Sequence, residues 1–110
     1  MKKLNYNRNA QTPDPLVRNT QQLTFVRHED SGHGWLQVPY KILTELGIQT
    51  MISHLSYRDG QSVYLEEDCD ARIFQRAFEH LHDHEDVSVV EQYDGPESFI
   101  LALPRYRPDK

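Results

Sequence analysis

Three stretches of the chain bring together side chains able to do chemistry. The first, His28-Glu29-Asp30-Ser31-Gly32-His33-Gly34-Trp35, sets a histidine between two glycines and close to carboxylates. Glycine accepts positive φ and close backbone approach, so His33 can project from a tight turn. There, an imidazole beside a carboxylate can serve as general base or metal ligand. The string also reads as a plain hairpin loop, with glycines for geometry and Trp35 for the core. The second stretch, Tyr64-Leu65-Glu66-Glu67-Asp68-Cys69-Asp70, holds four carboxylates in five residues. Clustered oxygens can bind a hard divalent cation, although calcium-loop spacing is absent. Acidic residues before a helix also cap it and favour its macrodipole, and a dense acidic patch suits docking onto a basic surface. The third, His80-Leu81-His82-Asp83-His84, spaces His80 and His84 four apart, as zinc ligands on a helix are. It lacks the Glu of a His-Glu-x-x-His motif and sits at a polar helix end, where histidines suit the dipole.

Other chemistries lack their residues. There is no Gly-rich phosphate loop ending in Gly-Lys-Ser/Thr, and no Gly-x-Gly-x-x-Gly follows a strand. His28-Glu29 has no Pro-Cys-x-x-Cys to complete a zinc deaminase site. With no complete catalytic constellation, the reading is a non-enzymatic binding protein with no cofactor and no metal. Its binding residues are Glu66, Glu67, Asp68 and Asp70, with His33 and Trp35. The alternative is a small metal-dependent enzyme, or a small-ligand (nucleotide) binding protein, using the His33 loop and the Glu66–Asp70 cluster. In the nucleotide case Arg58, Tyr57 and Trp35 would surround a pocket.

Charge narrows the partners. The 110 residues carry a net charge of −5. Residues 1–20 hold Lys2, Lys3, Arg8 and Arg18 against Asp14, while the other ninety hold 8 Lys/Arg and 16 Asp/Glu, a net of −8. An acidic body repels a phosphate backbone, which disfavours nucleic acid and favours a basic protein surface. Solubility alone also accounts for an acidic coat. The longest apolar run, Phe99 to Pro104, is far shorter than the roughly 20 residues of a membrane span. No apolar segment follows the N-terminal lysines, and the single cysteine, Cys69, permits no internal disulfide. A cytosolic protein without membrane contact is expected.

The elements that must position these residues are legible from periodicity. Residues 1–20 are polar and read as a flexible arm, residues 21–104 as one domain, and residues 105–110 as a basic tail that frays. Leu23 to Arg27 and Trp35 to Val38 read as a hairpin across 28–34. Pro39 opens a short helix through Ile42, Leu43 and Leu46, which Gly47 stops in the left-handed conformation. A second hairpin runs from Ile52 to Tyr57, turns at Arg58-Asp59-Gly60-Gln61 and returns through Ser62 to Glu66. A longer helix, capped by Asp68 or Asp70, lines up Ile73, Phe74, Ala77, Phe78 and Leu81. Val87 to Tyr93 and Ser98 to Leu103 read as two more strands, the last central because it is apolar on both parities. The fold class is α+β: a mixed or mostly antiparallel sheet of about six strands with two helices. The expected core is Phe25, Leu36, Leu43, Leu65, Phe74, Phe78, Leu81, Phe99 and Leu101.

The strings Ser31-Gly32-His33-Gly34-Trp35-Leu36-x-Val38-Pro39, Ile52-Ser53-x-Leu55-Ser56-Tyr57 and Val63-Tyr64-Leu65-Glu66-Glu67-Asp68-Cys69-Asp70 together resemble a family of small proteins of unassigned function. That family is encoded by tailed bacteriophages, prophages and plasmids. The resemblance covers residues 23 to 103 and implies an accessory protein of a mobile element acting in the cytosol of a bacterial host. The expected partner is therefore a host or phage protein, with counter-defence as one context. The resemblance assigns no catalytic or ligand residues.

Overall fold

In the computed structural model, which describes residues 23–82 and 87–110, the β-prone runs form a five-stranded mixed sheet. Its strands are β1 (Thr24–Glu29), β2 (Gly34–Pro39), β3 (Tyr57–Asp59), β4 (Ser62–Glu66) and β5 (Ser88–Tyr93). The order is β3-β4-β2-β1-β5, antiparallel throughout except for the parallel pair β1–β5. Among the described residues, two helices, α1 (Tyr40–Glu45) and α2 (Asp70–Leu81), and a 3-10 turn at Phe99–Ala102 accompany the sheet.

The register assigns each side chain to a face, because neighbours along a strand point to opposite sides. Val38 lies opposite Val63, while Arg27 lies opposite Leu36 and Leu36 opposite Leu65; Phe25, two residues before Arg27, shares this face. On this face the apolar residues pack under Phe74 and Phe78 of α2, with Leu43 of α1, in one buried cluster. Phe25 meets Phe74 and Phe78 edge-on at ring separations of 5.4 and 6.0 Å. The alternate residues Trp35, Tyr57 and Tyr64 form a second cluster on the other face, closed by Ile100. The sheet thus has helices on one side and the 3-10 turn on the other, while Tyr106 of the C-terminal segment joins the helix-side cluster.

Several expectations hold. Both turns lie where their glycines require: Gly47 ends α1 at φ +73°, and Gly60 turns β3 into β4 at φ +62°. Phe25, Leu36, Leu43, Leu65, Phe74 and Phe78 are all buried.

Other expectations are corrected. The run after Ser98 is not a sixth, central strand but the 3-10 turn, in which the Ser98 side chain accepts from the Ile100 N–H. One side chain of that run, Ile100, is fully buried, while Phe99 is 49% exposed. A short apolar run has no periodicity to distinguish a buried strand from a helical turn. Ile52 to Ser56 is a loop, so β3 keeps only three residues. Its serines bond to Asp70 and to backbone instead of leaving a regular ladder. Leu81, the last residue of α2, is 60% exposed. The tail docks: Tyr106 is 2% exposed, its N–H bonds to the Ser56 carbonyl and its hydroxyl to that of Gln49. The arm of residues 1–20 lies outside the described residues.

Candidate functional site

The β1–β2 turn and the β4–α2 junction emerge at the same end of the sheet, because Trp35 pairs with Glu66 in the β2–β4 register. Two sequence stretches thirty residues apart therefore line one cavity of about 370 Å³. His33, Trp35, Glu66, Glu67 and Asp68 form part of its wall, with Tyr57, Leu55, Leu101 and Arg105 across from them.

His33 is the exposed element of this wall, its side chain 55% accessible. Its ring stacks on Trp35 at 5.4 Å and 22°, while Trp35 is itself 2% exposed and serves as the backing. Nδ1 of His33 lies 3.0 Å from Oδ1 of Asp30. That oxygen also accepts from the N–H groups of Gly32 and His33, and Oδ2 accepts from the N–H of Ser98 at 2.8 Å. The Ser98 N–H, then that of Gly32 and the His33 ring, outweigh burial and hold the Asp30 carboxyl at about 2. In the neutral tautomer that donates Nδ1–H to Asp30, Nε2 is an acceptor able to take a ligand N–H.

The glycines around His33 do not serve positive φ, which occurs at Gly47, Gly60 and Gly95. Gly34 is instead a site of close approach. A Cβ there would lie 2.5 Å from Oε1 of Glu67 and 2.8 Å from Nη2 of Arg27. Those two groups form an ion pair directly over it.

The four carboxylates of the acidic stretch have different roles. Both oxygens of Glu66 accept backbone N–H groups, Oε2 from Asp68 and Oε1 from Cys69, each at 2.8 Å. Glu66 therefore satisfies donors just ahead of α2, the role expected of Asp68 or Asp70; Cys69 is the N-cap and makes no side-chain cap bond. Glu67 pairs with Arg27, which also reaches Glu29 at 2.7 Å and Glu91 at 3.3 Å. Burial opposes the Arg27 charge, but these carboxylates outweigh it and raise its pKa. Asp68 is exposed and has no ion pair or side-chain hydrogen bond among the described residues. Asp70 must be removed from the surface set. It is 1% exposed, and its Oδ2 accepts from the Ser53 N–H, the Ser53 hydroxyl and the Ser56 hydroxyl at 3.1, 2.8 and 2.6 Å.

Behind the cavity lies a second polar network. His28 is buried, with Nδ1 3.0 Å from Asp94 and Nε2 2.8 Å from Oε1 of Gln37. Ser98 donates to Asp94 at 2.7 Å. Burial pushes the Asp94 carboxyl up, but the bonds from Ser98, His28 and Gln92 leave it lowered overall. A serine, a histidine and an aspartate are thus together, yet not as a nucleophilic triad. The serine bonds to the aspartate rather than to the imidazole, and it is 3% exposed. This network fastens the C-terminal segment to the sheet.

Sequence reasoning missed Asp30 as the partner of His33, Arg27 as the centre of the carboxylates, and Arg105 in the cavity wall. Arg105 sits over the Tyr57 ring at 4.5 Å and donates to the His54 carbonyl. Arg58, expected beside Tyr57 and Trp35, instead covers Tyr40 and pairs with Asp109. Among the described residues no group of three or more His, Cys, Asp or Glu is arranged to hold a metal ion. His80 is on α2, and His84 lies outside the described residues. No described helix is long and apolar enough to cross a membrane. No protein-family model, curated protein or solved structure matches this chain.

Proposed function

We propose that this chain is a non-enzymatic accessory protein of a phage or plasmid that binds a basic surface of a host or phage protein at the rim of the His33 cavity. The observation that supports this reading is the carboxylate cluster around Arg27 and the β4–α2 junction, where Glu29, Glu66, Glu67, Asp68 and Glu91 outnumber Arg27, Arg72 and Arg105. One guanidinium serves Glu29, Glu67 and Glu91, and Asp68 beside them is exposed and unpaired among the described residues. Such a surface attracts a cationic partner and speeds its encounter. Leu55, 47% exposed at the same cavity, supplies an apolar contact beside the charges. The patch is narrower than four carboxylates, because Asp70 is internal and Glu66 is occupied by backbone.

The test is recovery of partners from a bacterial host with the tagged full-length chain, followed by binding kinetics. Asp68→Lys should slow association and flatten its salt dependence while the melting temperature stays close to wild type; Glu67→Lys with Asp68→Lys should do so more strongly, with a lower melting temperature because the Arg27 ion pair is lost. Unchanged affinity and salt slope in the folded double variant would make the acidic rim a solubility coat.

A second reading, a small-ligand site, is favoured by the Asp30–His33 pair. It makes His33 the residue whose loss abolishes binding, so His33→Ala separates the two: protein docking survives it in reduced form, whereas small-ligand binding does not.

A further inference from the structure

Buried donors in a folded chain nearly always have a partner, because leaving one unmet is costly. Two side chains lining the His33 cavity depart from that rule. Trp35, the single tryptophan of the chain, is 2% exposed, yet its indole N–H makes no hydrogen bond among the described residues. Nε1 is not fully enclosed, so the N–H opens onto the space that Trp35 lines, which is this cavity. Tyr57 lines the same space and is 6% exposed, and its hydroxyl is likewise without a partner and not fully enclosed. Over the Tyr57 ring sits Arg105, one of whose nitrogens donates to the His54 carbonyl at 3.2 Å. No carboxylate pairs with this guanidinium among the described residues. All three groups donate, and the indole and guanidinium cannot accept. The acids nearby do not serve them: Glu66 is taken by backbone N–H groups and Glu67 by Arg27.

We infer that the cavity binds a ligand carrying a carboxylate beside an ammonium or N–H group, as a free amino acid or the last residue of a peptide does. The inference rests on the reading of this cavity as a binding site and names the chemistry it takes. The carboxylate is the acceptor that Trp35, Tyr57 and Arg105 lack, and the planar fork of Arg105 matches its two oxygens. The ligand nitrogen has two acceptors at hand, Nε2 of His33 and the exposed, unpaired carboxylate of Asp68. A cation within the ligand also offsets the acidic rim, which would repel a bare phosphate. Leu55 and Leu101 line the remaining wall, so the side chain is apolar. The volume of about 370 Å³ restricts it to a modest size. Leucine meets these conditions.

Because Trp35 is alone, the chain has one indole N–H resonance, and it reports the site directly. The nitrogen-15-labelled full chain is titrated with leucine, glycyl-glycyl-leucine, leucinamide and inorganic phosphate. The indole resonance should move and saturate with leucine or the peptide, and the tighter of the two identifies a free amino acid or a chain terminus as the source. Leucinamide and phosphate should leave it in place. Arg105→Gln should weaken binding by about tenfold or more, since a charge-assisted pair is lost. Tyr57→Phe, which keeps the ring and removes the donor, should weaken it several-fold without moving the melt. An indole resonance unmoved by leucine and peptide at millimolar concentration overturns the inference. An equal response to leucinamide or phosphate, or binding that Arg105→Gln leaves intact, does so too. The docking reading is scored apart from this, by the effect of Asp68→Lys on the recovered protein partner: loss there with no response to leucine or peptide keeps the acidic rim and discards the carboxylate site.

Discussion

Replacing Asp70 by Ala separates an internal bracket from a surface charge. One carboxylate oxygen receives three donors from the loop of Ser53 and Ser56, and Ser56 in turn accepts the Glu66 N–H at 2.9 Å. The carboxylate therefore ties the start of α2 to the approach to β3 and, through Ser56, to the end of β4. Hydrogen bonds to a charged group contribute about 1.5–3 kcal/mol each, and a buried donor left unsatisfied costs about 1–3 kcal/mol. The three bonds share one acceptor and are not additive, so a loss of about 3–5 kcal/mol is expected rather than their sum. That is a large part of the roughly 5–15 kcal/mol that holds a typical domain. At about 4–8 °C per kcal/mol for a domain near this size, the melt should fall by at least about 12 °C. Urea denaturation and a thermal melt by circular dichroism, with Asp68→Ala beside it, measure the effect. The exposed Asp68 should change stability by less than about 0.5 kcal/mol. Equal, small effects at the two positions would refute the bracket and return Asp70 to the surface patch.

The remaining predictions concern acid, the core and the rim. Folded Asp30 ionises at about 2, against roughly 3.9 for an ordinary Asp, so the unfolded chain binds more protons between those values. Its contribution is complete above about pH 4 and is lost as pH falls through about 2; Asp30→Asn should flatten that part of a stability-versus-pH curve. Asp94, also lowered, acts with the same sign and should leave a residual slope in that variant. Phe78→Ala should cost about 3–5 kcal/mol by chemical denaturation, because the ring is 1% exposed between Phe25 and Phe74. Leu81→Ala, on the same helical stripe but 60% exposed, should cost less than about 0.5 kcal/mol. At the rim, Glu67→Lys with Asp68→Lys should reduce the association rate of the recovered partner, most strongly at low salt.

Local chemistry made much of this architecture legible. Asp59-Gly60 and Gly47 mark turns that need positive φ, and both adopt it. The alternation of Leu36 with Trp35, and of Leu65 with Tyr64, fixed which residues could share a face. The spacing of Phe74 and Phe78 placed α2 on the core. The His33 loop and the Glu66 stretch could each be named as chemically rich because residue type alone carries that information.

Whether the two stretches meet was decided by the β2–β4 register, a contact between residues thirty apart that no local pattern encodes. The same holds for the four carboxylates, which are alike in sequence. Glu66 became a cap because two N–H groups faced it, Glu67 a counterion because Arg27 crossed Gly34, and Asp70 a buried acceptor because the Ser53–Ser56 loop folded over it. Only Asp68 kept its charge unpaired toward solvent among the described residues. A carboxylate's role depends on the donors and water around it, and tertiary packing supplies those. The apolar run after Ser98 shows the same limit from the other side. Hydrophobicity required that it be covered, but the Asp30 carboxylate beneath Ser98 and the single niche for Ile100 made it a turn rather than a strand.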